Sequence, residues 1–260
     1  MGRGMDASQI NACAALVENG DPDRFLAAMA APVDVRGALF TLYAFNLELA
    51  RAPWVTKEPL IAQMRLQFWR DVVALEEFKA HEVAAPLQEL VKNGLPVAPL
   101  AAMIDAREVE IGTSAPFDDE AALWAYLEGT GGALMQATVA ALGGGAALSE
   151  PAMALGTAQG LANYLMAIPA LEGAGRHPLP DGRPEQVVAL AAEGLRRLRG
   201  ADSGLRKAPK AVRPALRAAW RAKGLLQQAQ RDPGAVGAGT LGSAEIMRRG
   251  GIILRVLLGK

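Results

Sequence analysis

Residues 40–71, FTLYAFNLELARAPWVTKEPLIAQMRLQFWRD, constrain the fold more than any other stretch. Leu39, Leu42, Tyr43, Asn46, Leu47 and Ala50 fall near one stripe at a 3.6-residue period, which predicts a long helix over 33–51. Pro53 ends it, because proline cannot continue the backbone ladder. After a short turn at 52–56, a second helix is expected over 57–78, with Pro59 in its first turn. Ile61, Met64, Leu66, Phe68, Trp69 and Val72 are apolar around much of its circumference, with Arg65 among them. Such a helix is expected inside a bundle, with neighbours on several sides. The rest of the chain should pack around this pair.

The remainder also reads as helix. No run alternates with period two, and alanine, the best helix former, is abundant. Helices are predicted over 8–17, from Pro22 with Phe25, Leu26 and Met29 as its apolar face, and over 82–91, 97–111, 120–142, 150–168, 184–198, 210–229 and 241–258. Asn19-Gly20, Asn93-Gly94 and Gly143-Gly144-Gly145 close helices, Pro169 is expected to interrupt one, and 173–180 is expected to be an irregular loop. Gly129, Gly131 and Gly132 inside the 120–142 helix cost about 1 kcal/mol each relative to alanine. That cost implies close backbone approach to another helix or to a ligand. No internal repeat divides the 260 residues, so the expectation is one all-α domain over 1–260.

The formal net charge is zero but unevenly placed. Residues 1–171 carry ten Lys and Arg against twenty Asp and Glu, and residues 172–260 carry seventeen against seven. The basic C-terminal third could face an anionic membrane, a phosphate-bearing ligand or an acidic partner. It could equally complement the acidic part within the fold. Cys13 is the single cysteine, so neither an internal disulfide nor a thiolate cluster can form, which fits a reducing compartment. No segment reaches the roughly 20 apolar residues needed to span a bilayer. The expectation is a cytoplasmic protein whose apolar, arginine-bearing end at 246–260 either closes the bundle or, with the basic third, meets the inner face of a bacterial plasma membrane.

Four motifs in order carry a resemblance: Tyr43-Ala44-Phe45, Arg65-Leu66-Gln67-Phe68-Trp69-Arg70-Asp71, Tyr126-x-x-Gly129-Thr130 and Gly175-Arg176-x-x-Leu179-Pro180. Over about 20–180 the chain resembles the squalene/phytoene synthase family. The resemblance implies a bundle of the isoprenoid synthase type with a central apolar cavity for prenyl chains. Active members join two prenyl diphosphates, with Mg²⁺ held by aspartates at i and i+4 on two facing helices. Aligned here, the first motif falls on Ala50, Arg51 and Trp54 and the second on Ala167 and Leu171, none of them acidic. Glu48 and Glu172 lie out of register. Ala44-Phe45-Asn46-Leu47-Glu48-Leu49-Ala50 and Ala158-Gln159-Gly160 resemble a divergent branch that lacks the acidic pairs and supports assembly of respiratory complex I, the NADH:ubiquinone oxidoreductase.

These readings set the expectations for a site. Tyr43, Asn46, Glu48, Arg51, Arg65, Tyr126, Thr130 and Asn163 are candidate pocket residues, with no catalytic residue and no metal ligand among them. Arg51 and Arg65 could bind a phosphate or carboxylate bidentately, although an ion pair with Glu48 is the simpler assignment. Asp105 and Glu108, with Arg107 and Glu110 alongside, read as a solvated face. Neither His81 nor His177 has a partner motif. No cofactor is expected. The expected partners are complex I subunits or assembly intermediates, a prenyl lipid and a membrane surface, and no nucleic acid. The alternatives are a prenyl transferase that uses Mg²⁺ with atypical acids such as Glu48, Asp105 and Glu108, or a non-catalytic prenyl-lipid or quinone carrier.

Overall fold

The computed structural model describes residues 6–55 and 58–242. Among them every regular element is helical. The expected helix at 241–258 lies, but for its first two residues, outside the described residues.

Three N-terminal helices form a layer: α1 (Ala7–Gly20), α2 (Pro22–Met29) and α3 (Val33–Arg51). Asp6 caps α1 by accepting from the Ser8 amide at 2.9 Å, and Asp21 caps α2 by accepting from Arg24 N at 3.0 Å. Cys13 and Val17 of α1 are fully buried, as a small apolar cysteine should be. Ten consecutive or near-consecutive side chains of α3, from Ala38 to Leu49, are buried, so α3 is the central helix that its sequence predicts.

The helix α4 (Pro59–Ala74) differs from expectation in two ways. It stops early, because Leu75 takes a left-handed conformation at φ 59° that ends the ladder. It is also not surrounded. Ala62, Leu66, Trp69, Val72 and Val73 face inward, but Leu60 is 67% exposed and Met64 63% exposed. The apolar circumference of α4 therefore marks an uncovered edge, and Arg65 is exposed with it.

After α5 (Ala84–Lys92) and α6 (Val97–Asp105), a 3-10 turn at Ala106–Glu110 leads towards α7 (Glu120–Leu127). The expected 120–142 helix forms, with one irregular turn inside it. Between α7 and α8 (Ala133–Ala141) the chain widens into a π turn at Glu128–Gly132, where the glycines fall. This turn presses on α9 (Ser149–Gly173). A Cβ on Gly131 would stand 2.6 Å from Gly156 O and 2.9 Å from Gly160 Cα, so backbone lies on backbone. The close approach implied by the glycines is made to a helix. Pro169 does not interrupt α9, which runs through it to Gly173. The basic helix α10 (Pro184–Leu205) lies along α9, and the expected 210–229 helix breaks into 3-10 turns and short helices before α11 (Ala222–Arg231). No helix among the described residues is long and apolar enough to cross a membrane.

Candidate functional site

The aligned motif positions lie at the C-terminal ends of α3 and α9. Past α3 the chain turns, with Trp54 N donating to Arg51 O at 2.9 Å, and Trp54 emerges partly exposed. Past α9, Gly175 at φ 77° reverses the chain so that Arg176 N returns to Leu171 O at 3.0 Å. The Arg176 side chain then reaches across. Its guanidinium lies 4.2 Å over the Trp54 ring and donates to Glu110 O at 3.0 Å and Thr113 O at 2.7 Å. An aromatic ring and a cation thus join the C-terminal ends of α3 and α9. Ala50, Ala167 and Leu171 are half-buried beside this junction in the chain.

Beneath Arg176 lies a buried polar knot. Arg107 donates to Glu110 Oε1 at 3.0 Å and to the Tyr126 hydroxyl, and Tyr126 in turn donates to the same Glu110 oxygen at 2.6 Å. Burial pushes the Tyr126 phenol well above its ordinary range, so it stays protonated and acts as donor. Burial disfavours the Arg107 charge, but Tyr126 and Glu110 outweigh that and keep it charged. Phe117, Tyr126 and Tyr164 pack their rings together at 5.1 to 6.1 Å, and Tyr164 donates to Pro178 O at 2.9 Å. The solvated face expected of residues 105–110 is therefore only half right. Asp105 and Glu108 are exposed and hold Arg70 at 2.9 and 2.5 Å, whereas Arg107 and Glu110 face inward. The chain tightens into a 3-10 turn at Ala106, which rotates the two away from the helical register.

The eight candidate residues do not share one site. Glu48 and Arg65 line a cleft of about 240 Å³ between α3 and α4, with Ala52, Phe68, Trp69 and His81. Arg51 pairs with Glu48 at 3.4 Å, the simpler of the two assignments. His81 Nδ1 accepts from Val83 N at 3.1 Å, which leaves the ring proton of the neutral tautomer on Nε2. Tyr43 is fully buried elsewhere, with the Arg24 guanidinium 5.7 Å over its ring, and burial pushes its phenol upward. Asn46 lies on the buried face of α3, and Asn163 is half-buried on α9. Thr130 is buried and spends its hydroxyl on Tyr126 O at 2.7 Å. Sequence reading missed Arg107 and Glu110. Their i,i+3 opposite charges next to Ile111 were the one available signal.

Among the described residues no three His, Cys, Asp or Glu side chains stand together in a way that could hold a metal ion.

The helical architecture is that of the isoprenoid synthase fold. It matches a dehydrosqualene synthase at a TM-score of 0.79, with 15% identity and 96% of both chains covered. It also matches a squalene synthase from Alicyclobacillus acidocaldarius at 0.69, with 17% identity, over 86% of this chain and 94% of that one. Residues 17–239 match the squalene/phytoene synthase family, and the chain belongs to it. Among curated relatives it is similar to human NADH dehydrogenase (ubiquinone) complex I, assembly factor 6. The two are 30% identical over 135 residues, 50% of this chain and 40% of that protein. A homologue of that factor from Drosophila melanogaster is 42% identical over 62 residues, 24% of this chain and 19% of its own length. The chain spans less than half the length of the curated relatives it matches.

Proposed function

We propose that this protein is a family member without diphosphate chemistry that acts as an assembly factor for respiratory complex I. It does so by binding subunits or assembly intermediates at the inner face of a bacterial plasma membrane. The observation that carries the reading is the Trp54–Arg176 stack at the C-terminal ends of α3 and α9. Departure of a diphosphate needs Mg²⁺ held by carboxylates. Where the family resemblance puts them, this chain offers Ala50, Arg51, Trp54, Ala167 and Leu171. The acids named for an enzymatic alternative are engaged elsewhere: Glu48 with Arg51, and Asp105 and Glu108 with Arg70. The relatives named as complex I assembly factors support the reading from the sequence side.

Deleting the gene should lower the amount of assembled complex I on native gels, and re-expression of the chain should restore it. Unchanged complex I in the deletion strain ends the proposal. A second assay separates binding from catalysis. Purified protein given farnesyl diphosphate and Mg²⁺ should release no diphosphate, and release abolished by Glu48→Gln would establish the enzyme instead.

A further inference from the structure

The helices α1, α2 and α3 leave a groove of about 380 Å³ between them. Ile10, Ala14, Phe25, Met29 and Phe40 give it apolar walls, and the Phe25 and Phe40 rings stack at 5.7 Å along its floor. From Ile10 to Glu18 it follows two turns of α1, about 12 Å at 1.5 Å per residue. Its apolar rim is open to water: Val33 is 77% exposed and Met29 43% exposed. Uncovered apolar surface in a concave site marks a place where something binds.

The charges at the rim say what kind of molecule that is. Arg36 lines the end where α3 begins. It donates Nε to Ala31 O at 2.9 Å, and among the described residues no hydrogen bond or ion pair engages its two terminal nitrogens. A second guanidinium, that of Arg217, donates to the adjacent Ala30 O at 3.2 Å. Burial, and next the positive charge of Arg213, hold Arg217 below the usual arginine range. Asp34, exposed in the first turn of α3, is not part of the groove lining. The groove's own carboxylate, Glu18, lies at the opposite end, two residues before Gly20, whose position abuts Leu47 near the far end of α3.

We infer that this groove is a binding site for a single-chain anionic amphiphile, its hydrocarbon along Phe25 and Phe40 and its head on the terminal nitrogens of Arg36. The site is separate from the Trp54–Arg176 stack and does not depend on the assembly role. Burial of the chain supplies affinity in proportion to the apolar area covered. The Arg36 fork supplies the sign of the head group.

Calorimetric titration with decanoate, decyltrimethylammonium and hexanoate tests it. Decanoate should bind one to one, and decyltrimethylammonium and hexanoate at least tenfold more weakly. Arg36→Gln should weaken decanoate by on the order of tenfold, as loss of a charge-assisted hydrogen bond does, and leave 1-decanol unchanged. Ala14→Phe, which fills the groove from α1, should abolish binding without lowering the melting temperature. If Ala14→Phe does not fold, the Arg36→Gln comparison decides alone. No decanoate binding, equal binding of the cationic probe, or decanoate affinity unchanged in Arg36→Gln overturns the assignment.

Discussion

Two apolar regions of this molecule have opposite fates. At the seam between the π turn and α9, Gly131, Gly156 and Gly160 bring backbone against backbone, and Gly131 and Gly156 have no room for a methyl group. At the α4 edge, Leu60, Ile61 and Met64 stand largely in water, and the helix is tied down through Arg70 to Asp105 and Glu108. The richer hydrophobic pattern belongs to the looser region. Packing density, not hydropathy, decides where a substitution is felt.

The sharpest way to break this contrast lies just beside the seam. Glu110→Leu leaves Arg107 buried and unpaired, with both side chains of the native pair about a tenth exposed. A loss of about 3–5 kcal/mol in urea unfolding is expected. Arg107→Met combined with Glu110→Leu should regain most of it, because both charges are then gone. Gly131→Ala tests the seam itself. Its methyl would meet Gly156 O at 2.6 Å, and neither backbone can yield, so a loss of about 1–3 kcal/mol or more is expected.

Cys13 offers an interior comparison by titration. Burial, chiefly, pushes its thiol up to about 12. Above pH 9 the unfolded chain loses this proton while the folded chain keeps it. Stability should therefore be full below pH 9 and fall as pH rises towards 12. Cys13→Ala should flatten that slope in a pH series of denaturant midpoints.

At the edge the effects shrink. Arg70→Met removes two ion pairs to exposed acids, and about 0–1 kcal/mol is expected. Met64→Gln should stay within about 0.5 kcal/mol by thermal melting. A large loss at Met64 would mean that the edge is covered in solution, and a small one at Gly131 would mean that the seam can open.

The all-α class and most helix positions were legible from residue order alone, although Pro169 and residues 210–229 misled. Helical periodicity, caps such as Asp6 and Asp21, and the absence of two-residue alternation are local signals, and local signals survive without the fold. Residue order also carried the family resemblance, the neutral residues at Ala50 and Leu171, and the need for close approach at Gly131. Which surfaces are covered follows from how the helices pack. The periodicity of α4 could not say that no neighbour packs on Leu60 and Met64. Residues 105–110 read as a solvated face until a 3-10 turn aimed Arg107 and Glu110 at Tyr126. The stack of Arg176 on Trp54 joins residues 122 positions apart. Such contacts depend on how helices are placed against one another, and periodicity along one helix does not encode the distance to the next.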